Sequence, residues 1–418
     1  MRILHLSTSD LSGGAFRGTY WLHLGLLQSG IDSNILVRRK LSNDFTVKEV
    51  HENIPLIEKI DRVKNSINII HLSTYRNKGK TLFSPALTSS TGLHRAIKAI
   101  RPDVIHLHWI NGNFVKPEDL SRFGIPVVWT LRDMWAFTGG CHYSGNCTKY
   151  VEDCGACPLL KSVSERDISR RLWLRKHRSW NDSKITLVAI SSWLADCATR
   201  SSLFRGQNVR VIPNALDESR FRPLAKNFSR DALSLPQNKK IIAFGAINAL
   251  HNKNKGFQYL AEALKKLASD GFSDSLELLV FGSSRPDEEP DLGVKVTYFG
   301  ELHNDIMLSL VYSAADVMVV PSIQEAFGKT AIEAMACGTP VVSFDSTGLK
   351  DIVEHKLTGY RAKCFDVDDL AHGILWVCED LQRHTSLAFA ARRSVEERFT
   401  IKRQAESYHR LYLDLLST

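Results

Sequence analysis

The 418-residue sequence has no apolar run approaching the ~18 residues of a membrane-spanning helix. Its first residues, Met-Arg-Ile-Leu-His-Leu-Ser, lack the longer apolar core of a secretory leader, which points to a cytosolic chain. No nucleic-acid recognition module accompanies its basic character, so nucleic acid is not the expected partner. No exact internal repeat links one half to the other. What remains is the composition of a soluble globular protein, 44% hydrophobic and 24% charged. The length is too great for one ordinary core, so two or three domains are expected.

The net charge of +9 is unevenly spread: Lys161 to Arg210 holds 11 Lys/Arg against 4 Asp/Glu. Such a surplus is either a solvated basic face or a surface for anionic lipid headgroups or a polyanionic substrate. Ile57, Ile60, Val63, Ile67 and Ile70 recur roughly at helix spacing, with Lys59, Arg62 and Lys64 interleaved. Core packing of this helix is the favoured reading, and an interfacial helix at a membrane is the alternative.

The chain alternates strand and helix. Arg2 to Thr8 reads as a buried strand, a glycine turn follows at Gly13 and Gly14, Phe16 to Ser29 reads as a helix, and Asp32 to Arg38 as a second strand. This is the unit of a parallel sheet. Further strands are expected at 103–109, 125–131, 185–190 and 208–212, and Pro213 to Asp217 breaks the pattern before a polar stretch, 218–239. The alternation then restarts with strands at 240–245, 276–282, 294–299, 316–320 and 340–344 and helices at 256–268 and 305–314. Tyr408, Leu411, Tyr412 and Leu415 fall at helix spacing in a last helix, 400–416. Two such domains in tandem leave a cleft at the carboxyl ends of their strands, where ligands of open α/β sheets sit.

The segment Pro321 to Phe344, PSIQEAFGKTAIEAMACGTPVVSF, carries two carboxylates, Glu325 and Glu333, around a small-residue step. Gly328 removes a side chain where a helix begins, and the first amides of a helix favour a phosphate. Lys329 adds charge and Thr330 a hydroxyl. Glu333 shares a face with Thr330 on an otherwise apolar helix, so its carboxylate needs partners, such as two adjacent ribose hydroxyls. Glu325, before the turn, is placed to accept from the hydroxyls of a sugar. The pattern suits a nucleotide-diphosphate-sugar. The plainer alternative is a helix-capping Glu325 and a Glu333 paired with an arginine.

This segment resembles the Glu-x7-Glu motif of family-4 retaining glycosyltransferases, which have the GT-B fold, and the resemblance covers nearly the whole chain. It extends to LSGGAFR, IPNALD, FGAINALHNKNKGFQYLAEAL and GTPVVSFDSTGLKDIVEHKLTGY. VVWTLRDMWAFTGGCHYSGNC…CGACP is similar to a subgroup building exopolysaccharide, capsule or O-antigen chains. The resemblance implies an α/β architecture of two Rossmann-like, doubly wound parallel-sheet domains facing a central cleft. Residues 1–212 would form the acceptor-side domain, with a Cys-rich loop at 141–157. Residues 213–399 would form the nucleotide-sugar-binding domain, and 400–418 a helix packing back on the first.

It further implies that Glu333 binds ribose, Glu325 holds the donor sugar, and the backbone at Phe327, Gly328 and Lys329 holds the diphosphate. Lys255 would pair with the phosphates, Gly13 and Gly14 would let the first loop close on the donor, and His108 would approach the reacting sugar or acceptor. The alternatives are a core histidine at 108 and an exposed cation at 255. Two positions depart from the family: Ala246-Ile247-Asn248 stands where an arginine is usual, and Arg132, before Asp133, stands where many relatives have histidine. Arg132 is then either an anionic-acceptor ligand or a partner of Asp133.

The implied activity is retaining transfer of a hexosyl group from a nucleotide-diphosphate-sugar to a polysaccharide or lipid-linked oligosaccharide, without a catalytic metal or other cofactor. The implied location is the cytoplasm, with a peripheral contact on an anionic inner membrane. Cys141, Cys147, Cys154 and Cys157 are a candidate structural zinc site, with free thiols or a redox-sensitive loop as alternatives. Cys197, Cys337, Cys364 and Cys378 read as small core residues. The rival functions are a nucleotide-sugar epimerase, a phosphorylase, or a zinc-containing binding protein.

Overall fold

The computed structural model describes residues 1–418 apart from 11–12, 52–54, 76–77, 79–81, 181–183, 247, 249, 251 and 418. Leu11 and Ser12 of the glycine turn, and Ile247, Ala249 and His251 of the loop where the family arginine is missing, lie outside the described residues. The chain divides into two compact units: Met1–Pro213 with Ile401–Thr418, and Asn214–Thr400.

In the first unit the order is β1 (Arg2–Ser9), α1 (Gly14–Gln28), β2 (Asp32–Arg39), β3 (Val47–Glu49), α2 (Pro55–Ser73), α3 (Leu93–Ile100), β4 (Val104–Leu107), β5 (Val127–Leu131), α4 (Ile168–Trp180), β6 (Ile185–Ala189), α5 (Ser192–Arg200) and β7 (Val209–Val211). These strands form one sheet in the order β3-β2-β1-β4-β5-β6-β7, parallel throughout. The order reverses direction between β1 and β4, the point at which doubly wound folds bind ligands.

The second unit runs α6 (Lys226–Ala232), β8 (Lys240–Gly245), α7 (Phe257–Leu267), β9 (Leu276–Phe281), β10 (Lys295–Tyr298), α8 (Asp305–Ala314), β11 (Val317–Val320), α9 (Lys329–Ala336), β12 (Val341–Phe344), β13 (Gly359–Ala362), α10 (Val367–Cys378) and α11 (Leu381–Arg398). Its sheet, β10-β9-β8-β11-β12-β13, is again parallel, with its switch between β8 and β11. Two doubly wound parallel-sheet domains are thus what the alternation in the sequence predicted. The stretch 218–239, read as a polar break, contains α6: Arg230 there is buried, its guanidinium donating to Asp316 at 2.6 Å and to the carbonyl of Ala314 at 3.0 Å. A buried charge paired across the fold leaves no apolar signature for periodicity to find.

α12 (Ile401–Leu416) closes the first unit. Tyr408, Leu411 and Tyr412 join Ile3, Leu22, Leu26, Val104, Val128 and Val188 in one core. The packing is close: a Cβ on Gly25 of α1 would lie 2.7 Å from Ile401 Cγ2. The second core is built from β8, β9, β11 and β12 under α7 and α10, with Ile242, Leu278, Val319, Val342, Leu264 and Ile374 all fully buried. Continuous apolar strands of this kind belong to sheets covered on both faces.

Two sequence readings are corrected. α2 does not pack its apolar stripe inward: Ile60, Val63, Ile67 and Ile70 are exposed, as is Leu56, while Ile57 is half-buried, because the face that docks is the polar one. Cys364, read as a core thiol, is exposed, with its sulfur donating to the carbonyl of Asp345 at 3.2 Å.

Candidate active site

The residues singled out by sequence gather at the two switch points. In the second unit, the loop after β8 is fastened to the loop after β11. Asn254 donates to the carbonyl of Gln324 at 2.6 Å, accepts from the Gln324 amide at 3.1 Å, and offers its own carbonyl to the Ile323 amide at 2.9 Å. Gly256 has φ +73°, and a Cβ there would lie 1.8 Å from the Pro321 carbonyl oxygen. Only a glycine allows this approach. The fastening delivers Lys255 Nζ to Glu325 Oε2 at 2.7 Å.

Glu325 is itself held from behind. Its amide donates to Thr347 Oγ1 at 3.2 Å and its carbonyl accepts from Gly348 N at 2.9 Å. Gly348 sits so close that a Cβ would lie 2.5 Å from the Ala326 carbonyl. Phe327 is buried against Phe399, and Gly328 turns the chain with φ +108°, where a Cβ would press on Leu349. α9 follows with a glycine at its N-cap, which offers no side chain to the first turn, and its leading amides carry the partial positive charge of a helix end. Lys255, Ser322, Thr330 and Gly245 line a small hollow there.

Glu333, one turn into α9, is 3% exposed. Tyr312 Oη donates to its Oε2 at 2.9 Å and Lys329 Nζ stands 3.2 Å from Oε1. The partner is therefore a tyrosine and a lysine, not the arginine of the plainer sequence reading. Both acids are thus present as ion pairs with lysines.

In the first unit, Gly13 caps α1 with φ +92° and Gly14 begins it. His5 and His106 are register partners on β1 and β4, and His108 follows two residues on, so all three imidazoles share one face of the sheet. His5 Nδ1 is 2.9 Å from His108 Nε2, and Arg132 Nη2 is 3.1 Å from His108 Nδ1. A guanidinium can only donate, so His108 Nδ1 accepts, and its Nε2 carries the proton given to His5. His106 is bound to Tyr412 Oη at 2.6 Å and Thr130 Oγ1 at 2.7 Å, and Thr130 to Tyr408 Oη at 2.6 Å.

Burial, and then the neighbouring His106 and Arg132, hold His108 well below its ordinary value of 6.5. It is neutral at physiological pH. Burial also lowers Arg132 to about 10, which leaves it charged. Among the described residues, the three histidines are the group whose ligand atoms lie within 4.8 Å of one another. A cationic Arg132 beside them and hydroxyl partners on His106 make the cluster a hydrogen-bond network unsuited to a metal ion.

Asp133 accepts from His142 Nδ1 at 2.6 Å, Trp109 Nε1 at 3.1 Å and the Trp135 amide at 2.8 Å. His108, Trp109, Asn111, Arg132, Asp133 and Trp135 line a hollow at this edge.

Cys154 and Cys157 are buried, Cys141 and Cys147 half-buried. Burial pushes the Cys141 thiol up to about 12, and the other three thiols oppose its ionisation as well, so the four share a neighbourhood. They are not among the groups with three ligand atoms within 4.8 Å. The Gly139 amide donates to Cys154 Sγ at 3.1 Å.

Asn254, Tyr312, Thr347 and Gly348 were not singled out in the sequence. The one local hint is the run Asn252-Lys253-Asn254-Lys255-Gly256, whose polar residues before a helix mark a turn.

The model of Glycosyltransferase Family 4 matches residues 12–220, half of the chain, and that of Glycosyl transferases group 1 matches residues 238–380. A D-inositol 3-phosphate glycosyltransferase of Saccharomonospora viridis is 27% identical over 328 residues, 75% of this chain and 70% of that protein. Among solved structures, the sucrose-phosphate synthase of Thermosynechococcus elongatus superposes with a TM-score of 0.69 at 20% identity, covering 100% of this chain and 99% of the other. HepE of Anabaena, in complex with UDP and glucose, gives 0.60 at 17% identity and 99% of both chains. These neighbours share the GT-B fold with this chain. With both units matched in order, the chain belongs to the family-4 glycosyltransferases and is itself a glycosyltransferase.

Proposed function

We propose that the protein transfers a hexosyl group, with retention of anomeric configuration, from a nucleotide-diphosphate-sugar to a growing polysaccharide or lipid-linked oligosaccharide of the exopolysaccharide, capsule or O-antigen kind. One observation carries this reading: the fastened loops after β8 and β11 bring Lys255, Glu325, the uncapped start of α9 and Glu333 to a single switch point. Lys255 and the α9 amides receive the diphosphate, Glu333 the ribose and Glu325 the sugar hydroxyls. Phe327, Lys329 and Thr330 shape the phosphate end. An epimerase or phosphorylase is not favoured by any feature of the site.

Retention follows if the acceptor attacks from the face the diphosphate leaves. The protein then positions the reactants and stabilises charge building on the phosphates. Lys255 and the helix end supply positive charge at that point, so no divalent metal is required. In the first unit, Arg132, oriented by His108, is the cation offered to the acceptor side, with Asp133 holding the surrounding loop and Gly13–Gly14 giving the first loop its freedom.

UDP is the first nucleotide to test, since HepE was crystallised with it. Calorimetry and sugar transfer with UDP-sugars decide the reading. Failure to bind UDP, GDP, ADP or dTDP overturns it, and loss of turnover in EDTA, restored by magnesium or manganese, overturns the metal-free account.

The cysteine loop is the candidate zinc site of this reading. Its four-thiol donor set suits a closed tetrahedral site, although the sulfurs stand wider apart than such a site requires. Metal analysis of protein purified without chelator tests it, and a zinc content well below one per chain leaves the loop as free thiols.

A further inference from the structure

α2 is amphipathic the wrong way round for a helix of a soluble domain. Its docked face is polar. The buried Asp61 accepts from the Thr91 amide at 3.1 Å and hydroxyl at 2.7 Å, and Asn68 accepts from the Leu87 amide at 2.9 Å. Lys64 reaches Thr91 Oγ1 at 2.7 Å. Its outward face carries Leu56, Ile60, Val63, Ile67 and Ile70, each between 39% and 67% exposed. Their spacing of four, three, four and three keeps them in one line along the helix. At 1.5 Å per residue the line is about 21 Å long. A surface helix ordinarily turns such a stripe to its core. Here the inner face is already satisfied by polar partners, so the stripe has an outside destination.

The charges beside the stripe say which. One flank carries Lys59 and Ser66, the other Lys64 and His71, with Arg62 beyond Lys59. The acid Glu58 lies on the far side, 3.9 Å from Arg62. A second copy of the chain packed stripe to stripe would set Lys59 against Lys59 along one seam, which disfavours self-association; on the other flank Lys64 is turned inward to Thr91 and Asp61. An anionic bilayer accepts both features at once: apolar side chains enter the acyl boundary while lysines meet headgroup phosphates. No helix among the described residues is long and apolar enough to cross a membrane, so the contact lies in the surface.

We infer that α2 is a membrane-docking element that seats the first unit on an anionic lipid surface through Leu56, Ile60, Val63, Ile67 and Ile70, with Lys59 and Arg62 as its electrostatic rim. The inference deepens the proposed function, since a lipid-linked acceptor is presented at such a surface, and it rests on that part of the reading.

The test is co-sedimentation of the full chain with vesicles of phosphatidylcholine alone and of an equal mixture of phosphatidylcholine and phosphatidylglycerol. Wild type should bind the mixed vesicles and lose them at high salt. Lys59→Ala and Arg62→Ala should each weaken binding about 5-fold. Val63→Glu with Ile67→Glu should abolish it while leaving the melting temperature unchanged, because neither side chain is in the core. Equal binding to both vesicle types, or unaltered binding by the double variant, overturns the inference. So does a wild-type dimer, seen by sedimentation velocity, that the double variant converts to monomer, for then a second copy covers the stripe. UDP binding by the same double variant should match wild type, so a failed lipid test is distinguishable from a failed donor site.

Discussion

Glu325→Gln separates the two things asked of the Lys255–Glu325 pair. In the free protein Lys255 Nζ sits 2.7 Å from the carboxylate, with side-chain exposures of 26% and 13%. At that distance the gross attraction is about 6 kcal/mol for an effective dielectric near 20. Partial exposure and the cost of desolvating both ions reduce the net value to about 1–2 kcal/mol. On the proposed reading an arriving diphosphate must draw Lys255 away from Glu325 and tolerate a carboxylate nearby. Removing that charge while keeping the side chain's shape should therefore tighten UDP binding about 5- to 30-fold, the same 1–2 kcal/mol read as an affinity. On the proposed reading sugar transfer should fall, because the group assigned to the sugar hydroxyls has lost its charge. Lys255→Met should move binding the other way, weakening it by roughly 10- to 100-fold through loss of a charge-assisted hydrogen bond. Isothermal calorimetry with UDP reads both variants and a transfer assay reads turnover. Unchanged or weaker UDP binding by a folded Glu325→Gln protein refutes the argument that the carboxylate competes with phosphate for Lys255.

Three further outcomes are expected. Gly256→Ala places a Cβ against the Pro321 carbonyl at a positive φ and should cost about 3 kcal/mol or more, lowering the melting temperature and uncoupling the two loops, so that UDP binding falls with it; a wild-type melt would count against the fastening. Asp316 accepts from Arg230 at 2.6 Å, Lys226 at 2.8 Å and the Ile241 amide at 2.7 Å. Asp316→Ala strands a buried guanidinium and should destabilise the second unit by about 3–5 kcal/mol in urea. Burial opposes the ionisation of Asp316 but Lys226 and Arg230 outweigh it, holding the carboxyl below its ordinary 3.8, so its contribution is present above that value and is lost as pH falls through the lower folded one. In the first unit, burial keeps His5, His106 and His108 neutral, while the unfolded chain protonates them below about 6.5. Stability should then fall between pH 7 and pH 5 by about 2 kcal/mol for each histidine, and a flat urea profile over that range would contradict the buried network.

The alternation of strands and helices was readable because every core strand of a doubly wound sheet is a short apolar run, and the glycine turn after β1 and Gly245 at the end of β8 stand at the ligand edges of their sheets. Glu325 and Glu333 were readable because an acid before a glycine turn, or on an alanine-rich helix, has no packing reason to be there. Their partners were not. Tyr312 and Lys255 meet these acids across elements distant in sequence, and tertiary pairing has no local period. Arg132 could be read as a departure from its relatives, but not as the donor that fixes the His108 tautomer, because that depends on a third strand. α2 shows the opposite failure. Its period was correct, and its direction was misread, because periodicity reports that one face is apolar without saying which face the rest of the domain will cover. The exposed Cys364 was misread for a related reason: residue type carries an average burial, and the segment after β13 is an edge.

The closing helix α12 has a consequence for biogenesis. Tyr412 and Tyr408 fill hydrogen bonds to His106 and Thr130 in the middle of the first sheet, and Ile401 and Ala405 lie against Gly25. The first unit is therefore completed only by a helix that follows the whole second unit in the chain. Residues 214–400 own a full core and are free to fold during elongation, whereas the nascent first sheet waits, its central imidazole and hydroxyl groups unsealed, until the tyrosines emerge.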